Sequence, residues 1–276
     1  MKKPKVVFFG NEKLATGIKS VDPIILNAVA SAGFEIEKHV TGKLDELGDH
    51  DAQLAVLAAY GRIIPQTILD EFPLGIINVH PSLLPVYRGP TPIEQAILDG
   101  DTKTGVSIMQ LTAGMDEGPI YKQKTENLTG KESKAELTLE LQKIGAEMLL
   151  EVLPGIANGS LKPRQQPHPI RTSYSRKLTK ADGNLDFSKP AEVLEREIRA
   201  FIEWPKSSTK LANIDVIITQ ASVIDYNGET GQSEIIDHQL IVYCSEKALK
   251  IEKLKPTGKP EMTGEAFIAG YGSRLN

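Results

Sequence analysis

The chain has little of what several protein classes require. It holds one cysteine, Cys244, in 276 residues, so no internal disulfide can form. That fits a reducing, cytoplasmic setting rather than a stapled secreted fold. It has no long apolar run; Leu54–Tyr60 is among the longest. A membrane span needs about 20 apolar residues, so no membrane partner is expected. The N-terminus offers only Val6-Val7-Phe8-Phe9 between Lys5 and Gly10. A secretory signal needs an apolar core of about 7–15 residues, so none is expected. There is no excess of positive charge: 32 basic against 36 acidic side chains give a net charge of −4. A protein basic all over is excluded; one with a local basic strip is not. Gly10-Asn11-Glu12-Lys13 lacks G-x-G-x-x-G, and no G-x-x-x-x-G-K-[ST] occurs. Neither nucleotide-binding signature is therefore present. His39, His50, His168 and His238 are scattered without metal-ligand spacing, so no metal is expected.

What is present is an alternation of strand-like and helix-like segments over the first 160 residues. Lys5–Phe9, Leu54–Ala59 and Gly75–Val79 are apolar on both faces, as buried parallel strands are. Phe34–Val40 reads as a more exposed strand, and Thr104–Leu111 as another. Asp22 before Pro23 reads as an N-cap with proline at the first helical position. Ile64–Glu71 reads as a short helix and Pro92–Leu98 as another. Leu137, Leu141, Ile144, Met148, Val152 and Ile156 recur at spacings of three and four, one apolar helical stripe. It is predicted to stop at Asn158-Gly159. The pattern predicts an α/β domain over 1–160 with a mostly parallel sheet. Ligands in such sheets bind beyond the carboxyl ends of the strands.

The texture changes after Gly159. Residues 161–181 hold Pro163, Pro167 and Pro169 and read as a linker. They also hold Lys162, Arg164, Arg171, Arg176, Lys177 and Lys180, with no acidic residue in 162–181. This one-sign stretch reads either as a solvated linker or as a basic contact strip. Residues 182–276 form a smaller, mostly β domain. Ala191–Phe201 is a helix, followed by strand-like runs at Ile214–Thr219, Ala221–Asp225, Leu240–Tyr243 and Ala248–Leu254. Asn227-Gly228 and Gly231 mark the turns. Trp204-Pro205 reads as a domain-closing aromatic, and Cys244 as a buried thiol.

The densest polar stretch is Asn78-Val79-His80-Pro81-Ser82-Leu83-Leu84-Pro85, at the carboxyl end of a predicted strand. Strand alternation puts Asn78 and His80 on one face. An amide N–H and an imidazole together can stabilise an oxyanion and move a proton. Asp116, in Gly114-Met115-Asp116-Glu117-Gly118, follows the next strand. A carboxylate there would favour a charged His80 and take a proton from an incoming amine. By spacing alone, a structural histidine and a turn-forming aspartate are the commoner readings.

In combination the motifs narrow this choice. Asn78–Pro85, Arg88-Gly89, Pro92-Ile93 and Gly114–Gly118 together resemble the 10-formyltetrahydrofolate-dependent formyltransferases. Ala58-Ala59-Tyr60-Gly61-x-Ile63-Ile64-Pro65, Thr172-x-Tyr174-x-x-Lys177-Leu178 and Ile198-Arg199-Ala200-Phe201-x-x-Trp204-Pro205 resemble the branch that formylates methionyl-tRNA. The resemblance covers nearly the whole chain. It implies a Rossmann-like catalytic domain with helices on both faces, and a C-terminal domain like an OB barrel that binds tRNA. It implies catalysis by Asn78, His80 and Asp116, and a folate site lined by Ser82, Leu83, Leu84 and Pro85. The implied reaction takes formyl from 10-formyltetrahydrofolate to the α-amine of methionyl-initiator-tRNA, in a cytoplasmic monomer without metal. Lys162, Arg164, Arg171, Arg176 and Lys177 become candidate tRNA contacts. The C-terminal part cannot grip RNA by overall charge, since Ile170–Asn276 carries 15 basic and 15 acidic side chains.

Two features depart from the family pattern. The first turn usually reads F-x-G-T-P-x-F, whereas here it is Phe8-Phe9-Gly10-Asn11-Glu12-Lys13-Leu14. The family's long basic loop after the second strand is absent; Lys43 is the only lysine or arginine between Val40 and Leu54. Formylation of another amine, such as an amino sugar, and a non-catalytic tRNA- or folate-binding relative therefore remain as alternatives.

Overall fold

A computed structural model describes residues 4–10, 23–167 and 172–275. The chain divides into two compact units. The first comprises Met1–Ala96, Thr102–Thr129 and Ala135–Lys177; the second comprises Ile97–Asp101, Gly130–Lys134 and Leu178–Asn276.

The first unit is built on a six-stranded sheet of order β2-β1-β3-β4-β5-β6. Strands β1 (Lys5–Phe9), β2 (Glu35–Val40), β3 (Leu54–Leu57) and β4 (Ile76–His80) are parallel. β5 (Lys103–Gln110) runs antiparallel to β4, and β6 (Ile120–Asn127) antiparallel to β5. The central strands β3 and β4 are buried along their whole length, β3 through an all-apolar sequence and β4 with the polar Asn78 and His80 included. The helices are α1 (Ile24–Ser31), α2 (Gln66–Leu69), α3 (Pro92–Leu98) and the 24-residue α4 (Lys134–Ala157). Pro23 stands at the N-cap of α1, one place earlier than expected; Asp22 lies outside the described residues. α4 ends as predicted, with Gly159 at φ +75°.

The packing of α4 fixes which face of the sheet is closed. A side chain at Gly145 would stand 2.6 Å from Val79 Cγ1 and 3.3 Å from Ile25 Cδ1. The helix therefore rests on Val79, and alternation turns Asn78 and His80 to the opposite face.

The segment expected as a linker is stitched to the first unit as far as Lys177. Ile120 and Arg164 exchange backbone hydrogen bonds at 2.7 and 2.8 Å. Arg88 N–H donates to the Ser173 carbonyl at 2.9 Å, and Ser175 N–H to the Arg88 carbonyl at 2.7 Å.

The second unit is an antiparallel sheet of order β7-β8-β11-β10-β9, with β12 paired to β11. The strands are β7 (Ser207–Leu211), β8 (Ile214–Ile224), β9 (Ser233–Ile236), β10 (Gln239–Tyr243), β11 (Ala248–Pro256) and β12 (Met262–Thr263). Helices α5 (Ala191–Ala200) and α6 (Gly264–Tyr271) accompany it. Leu194, Ile198, Leu240, Leu249, Cys244 and Phe267 meet in one apolar core. The two strand-like runs 214–219 and 221–225 are one strand, β8, whose partner β11 shifts register on either side of Lys253.

Candidate active site

β4 delivers two polar side chains to one buried position. Asn78 is 6% and His80 4% exposed. The His80 ring is oriented by the loop that follows it. Nε2 lies 3.0 Å from the Tyr87 carbonyl, which can only accept, so Nε2 carries a proton. Nδ1 is thereby turned toward Asp116.

That loop is held from beneath by a hydroxyl and amide network. The Ser82 hydroxyl donates to the Val86 carbonyl at 2.6 Å. The Ser107 hydroxyl donates to the Ser82 carbonyl at 2.6 Å and accepts Leu84 N–H at 3.1 Å. Gln123 Nε2 donates to the Leu84 carbonyl and the Ser107 hydroxyl at 2.9 and 2.8 Å. Ser82 is fully buried, and Leu84 packs with Met109 and Ile120. These two side chains set the shape of the loop, while Leu83 and Pro85 are half-buried.

Asp116 reaches the pair by a route the sequence did not reveal. Spacing suggested neighbouring strand ends on a parallel sheet. β5 is instead antiparallel, so Ser107 lies opposite His80 and Gln110 opposite Ile77. The chain leaves β5 beside the start of β4, and the following loop returns over the sheet face. Gly118 makes the return possible, because a Cβ there would stand 1.8 Å from the Gln110 carbonyl oxygen. Asp116 takes φ +50° at the tip.

The result is a convergent trio. Asp116 Oδ1 lies 3.4 Å from Asn78 Nδ2, and Oδ2 lies 3.7 Å from His80 Nδ1. Gly89 N–H fixes Oδ2 at 2.8 Å. Both side-chain distances exceed an ordinary charge-assisted hydrogen bond of about 2.7–2.9 Å. The Asn78 amide and the His80 ring thus face one carboxylate at more than ordinary hydrogen-bond distance. A carbonyl oxygen placed beside the pair would meet the Asn78 N–H, with a base next to it.

Sequence reasoning missed Tyr87, Ser107, Gln123 and Gln166, which hold this geometry. Only Arg88-Gly89 had stood out, as part of a motif. Nothing in the pattern around Gln166, which sits between prolines in a basic stretch, marks it out. The basic candidates Lys162, Arg164, Arg176 and Lys177 are exposed; Arg171 lies outside the described residues. Among the described residues, no cluster of His, Cys, Asp and Glu side chains is arranged to hold a metal ion. No helix among them is long and apolar enough to cross a membrane.

The α/β unit thus carries a buried amide and imidazole facing a half-buried carboxylate, and an antiparallel unit follows it. The formyl transferase family model matches residues 11–153, and the model of the formyl transferase C-terminal domain matches residues 177–272. The chain belongs to the formyl transferase family, within the methionyl-tRNA formyltransferases. It is 41% identical over 223 residues to the methionyl-tRNA formyltransferase of Chloroflexus aurantiacus, covering 79% of this chain and 71% of that one. Among solved structures it is similar to HypX from Aquifex aeolicus in complex with tetrahydrofolic acid. That likeness has a TM-score of 0.75 at 17% identity, over 98% of this chain and 47% of the other. It is also similar to methionyl-tRNA formyltransferase from Clostridium thermocellum, with a TM-score of 0.61 at 16% identity, over 80% and 94%. At those identities the likeness shows the fold.

Proposed function

We propose that the chain transfers the formyl group of 10-formyltetrahydrofolate to the α-amino group of methionyl-initiator-tRNA. The observation that carries the chemistry is the convergence of the Asn78 amide and the His80 imidazole on the Asp116 carboxylate. The relatives at about 40% identity support the acceptor.

The formyl oxygen sits between Asn78 Nδ2–H and a protonated His80 Nδ1. The amine lone pair attacks the formyl carbon, and the carbonyl electrons move to oxygen. The two donors, already oriented, hold that charge without reorganising. Asp116 faces the imidazolium and takes a proton from the attacking amine, directly or through water. The bond from carbon to the folate nitrogen then breaks, and that nitrogen leaves with the proton that Asp116 took from the amine. Neither redox chemistry nor a covalent enzyme intermediate is needed. The Ser82–Pro85 loop lines the folate side, with Ser82 and Leu84 setting its shape and Leu83 and Pro85 nearest the ligand. The division of labour is a catalytic domain over 1–160, a basic connector over 161–181 and a tRNA-holding domain over 182–276. The enzyme works as a cytoplasmic monomer.

Selection of the initiator needs a surface other than the family's long basic loop. Here residues 41–53 make a short, fastened connection. The Tyr60 hydroxyl donates to the Gly42 carbonyl at 3.0 Å, and the Glu46 carboxylate accepts Gly42 and Lys43 N–H at 3.0 and 3.1 Å. The exposed strip of Lys162, Arg164, Arg176 and Lys177, with Arg171, takes over that task. The test is formyl transfer from 10-formyltetrahydrofolate to methionylated initiator tRNA, with methionylated elongator tRNA beside it. Transfer to the initiator alone is expected. Transfer to neither would sink the tRNA reading and move the search to small amines such as amino sugars.

A further inference from the structure

Gln166 grips the loop that carries Asp116. Its Nε2 donates to the Asp116 carbonyl at 2.7 Å and to the Gly118 carbonyl at 2.9 Å. Its Oε1 accepts from Arg88 Nη2 at 2.7 Å and from Nε at 3.3 Å. Both hydrogens and both lone pairs of the amide are thus engaged. Arg88 closes the ring, since its Nη1 donates to Glu117 at 3.1 Å and to the Tyr174 hydroxyl at 3.2 Å. The backbone two residues before Gln166 is itself fixed, by the ladder between Arg164 and Ile120.

This grip answers a local problem. Asp116 stands at φ +50°, a backbone region that costs a non-glycine residue about 1–3 kcal/mol unless its surroundings enforce it. Its flanks, Gly114-Met115 and Glu117-Gly118, supply little stiffness of their own. The carboxylate makes one short hydrogen bond, to Gly89 N–H, and its distances to Asn78 and His80 are long. The peptide on either side of Asp116 must therefore be held from elsewhere, and Gln166 is the side chain that holds it.

We propose that Gln166, backed by Arg88, is a positioning residue for formyl transfer. It touches no reacting atom. It sets the Asp116 backbone so that the carboxylate faces Asn78 and His80. The basic segment thus has two separable duties: its exposed cations meet the acceptor, and its half-buried amide aligns the base. The inference rests on the role given to Asp116 above.

The experiment compares Gln166→Ala, Gln166→Glu and Asp116→Asn in the full chain, by steady-state formyl transfer and thermal unfolding. Gln166→Glu keeps an acceptor for Arg88 but has no N–H for the two carbonyls, and so isolates the donor half of the grip. Both Gln166 variants are expected to lose about 10–100-fold in kcat, the effect of a catalytic group displaced by about 1 Å. KM for donor and acceptor should change little, and Gln166→Glu should melt close to the parent. Acetamide in the buffer should restore part of the Gln166→Ala rate by refilling the amide site. An unimpaired Asp116→Asn would show that the site reading itself has failed. An impaired Asp116→Asn beside unchanged kcat in both Gln166 variants would overturn the positioning role alone. So would a rise in KM without a fall in kcat, which would make Gln166 a substrate contact. Loss of the folded state in both Gln166 variants would overturn it too, by making Gln166 a residue of the fold rather than of the site.

Discussion

The two units bury polar side chains very differently. Among the described residues, the first unit buries Asn78, His80, Ser82, Glu94, Thr104, Ser107, Thr138 and Ser175, and the second only Glu197 and Ser207. In the second unit both serve the fold. Glu197 pairs with Lys189 at 2.6 Å, and the Ser207 hydroxyl donates to the Glu197 carbonyl at 3.4 Å. In the first unit Asn78, His80, Ser82 and Ser107 crowd onto β4, its loop and β5. Leaving one buried polar group unmatched costs about 1–3 kcal/mol. There the Asn78 amide and the His80 imidazole meet one carboxylate at 3.4 and 3.7 Å, so the buried polar groups of the site are matched to one another. The second unit gathers an apolar core around Phe267 and Leu240, and leaves two buried side-chain oxygens, Glu197 Oε2 and Thr219 Oγ1, without a partner.

Paired substitutions test that contrast most sharply. Asn78→Ala removes an oxyanion donor, and kcat is expected to fall by about 10²–10³-fold. His80→Ala is expected to cost about 10²–10⁴-fold, the range of a general acid–base group. Both proteins should melt near the parent. Phe267→Ala should do the reverse, destabilising by about 3–5 kcal/mol while kcat below the melting range stays near the parent value. The measurement is kcat beside denaturant unfolding for all three. An equal kcat loss from Phe267→Ala would break the division between a unit of site and a unit of packing.

A smaller effect sits at Gly89, where the first unit's fold and site meet. Its φ of +106° is open only to glycine, and a Cβ would stand 2.7 Å from the Ser175 carbonyl oxygen. Gly89→Ala should cost about 1–3 kcal/mol in unfolding free energy. It should also lower kcat, because Gly89 N–H anchors Asp116 Oδ2. A stability loss with no kcat change would mean that Asp116 holds its place without that bond.

The same contrast decides what could be read in the sequence. Elements with strong periodicity were legible: β1, β3, β4, α3, α4 and α5 appear within a few residues of their expected spans. β6 was missed because Tyr-Lys-Gln-Lys-Thr-Glu-Asn is an exposed edge with no apolar alternation. β7 and β9 were missed because their hairpins turn through Ala212-Asn213 and Asp237-His238, at positive φ but without glycine. Asn78 and His80 were legible as partners because strand alternation fixes their common face. How Asp116 reaches them was not, because pattern does not tell a parallel β5 from an antiparallel one. Gln166 was invisible for a related reason: its role comes from contacts 48 and 50 residues away in the chain.

The next comparison sets cations of the two units against each other. Replacing Lys162, Arg164, Arg176 and Lys177 with Gln should weaken tRNA binding and flatten its salt dependence. Each lost phosphate contact lowers the slope of log K against log salt by about 0.7–0.9. Gln at Lys250, Lys253, Lys255 and Lys259 tests the second unit in the same way. The first set is expected to raise KM for tRNA with kcat unchanged. A larger slope change from the second set would move the RNA surface to the C-terminal sheet.

The smallest effect concerns Cys244, which lies 3% exposed in the same core as Phe267. Burial pushes its thiol up from the ordinary value of 9.0 to about 11. The folded value is the higher one, so the resulting stabilisation is complete below pH 9 and is lost as pH rises toward 11. At pH 8 only about one thiol in a thousand is ionised, and it is shielded as well. An alkylating reagent should therefore leave the native protein unlabelled at pH 8, with formyl transfer intact. Labelling then reports how often the second unit opens. Phe267→Ala should speed it by about a hundredfold or more, the population change that 3–5 kcal/mol implies. Asn78→Ala should leave it unchanged. A rise in labelling from Asn78→Ala would mean that the Asn78 side chain stabilises the second unit too, and would break the division between a unit of site and a unit of packing.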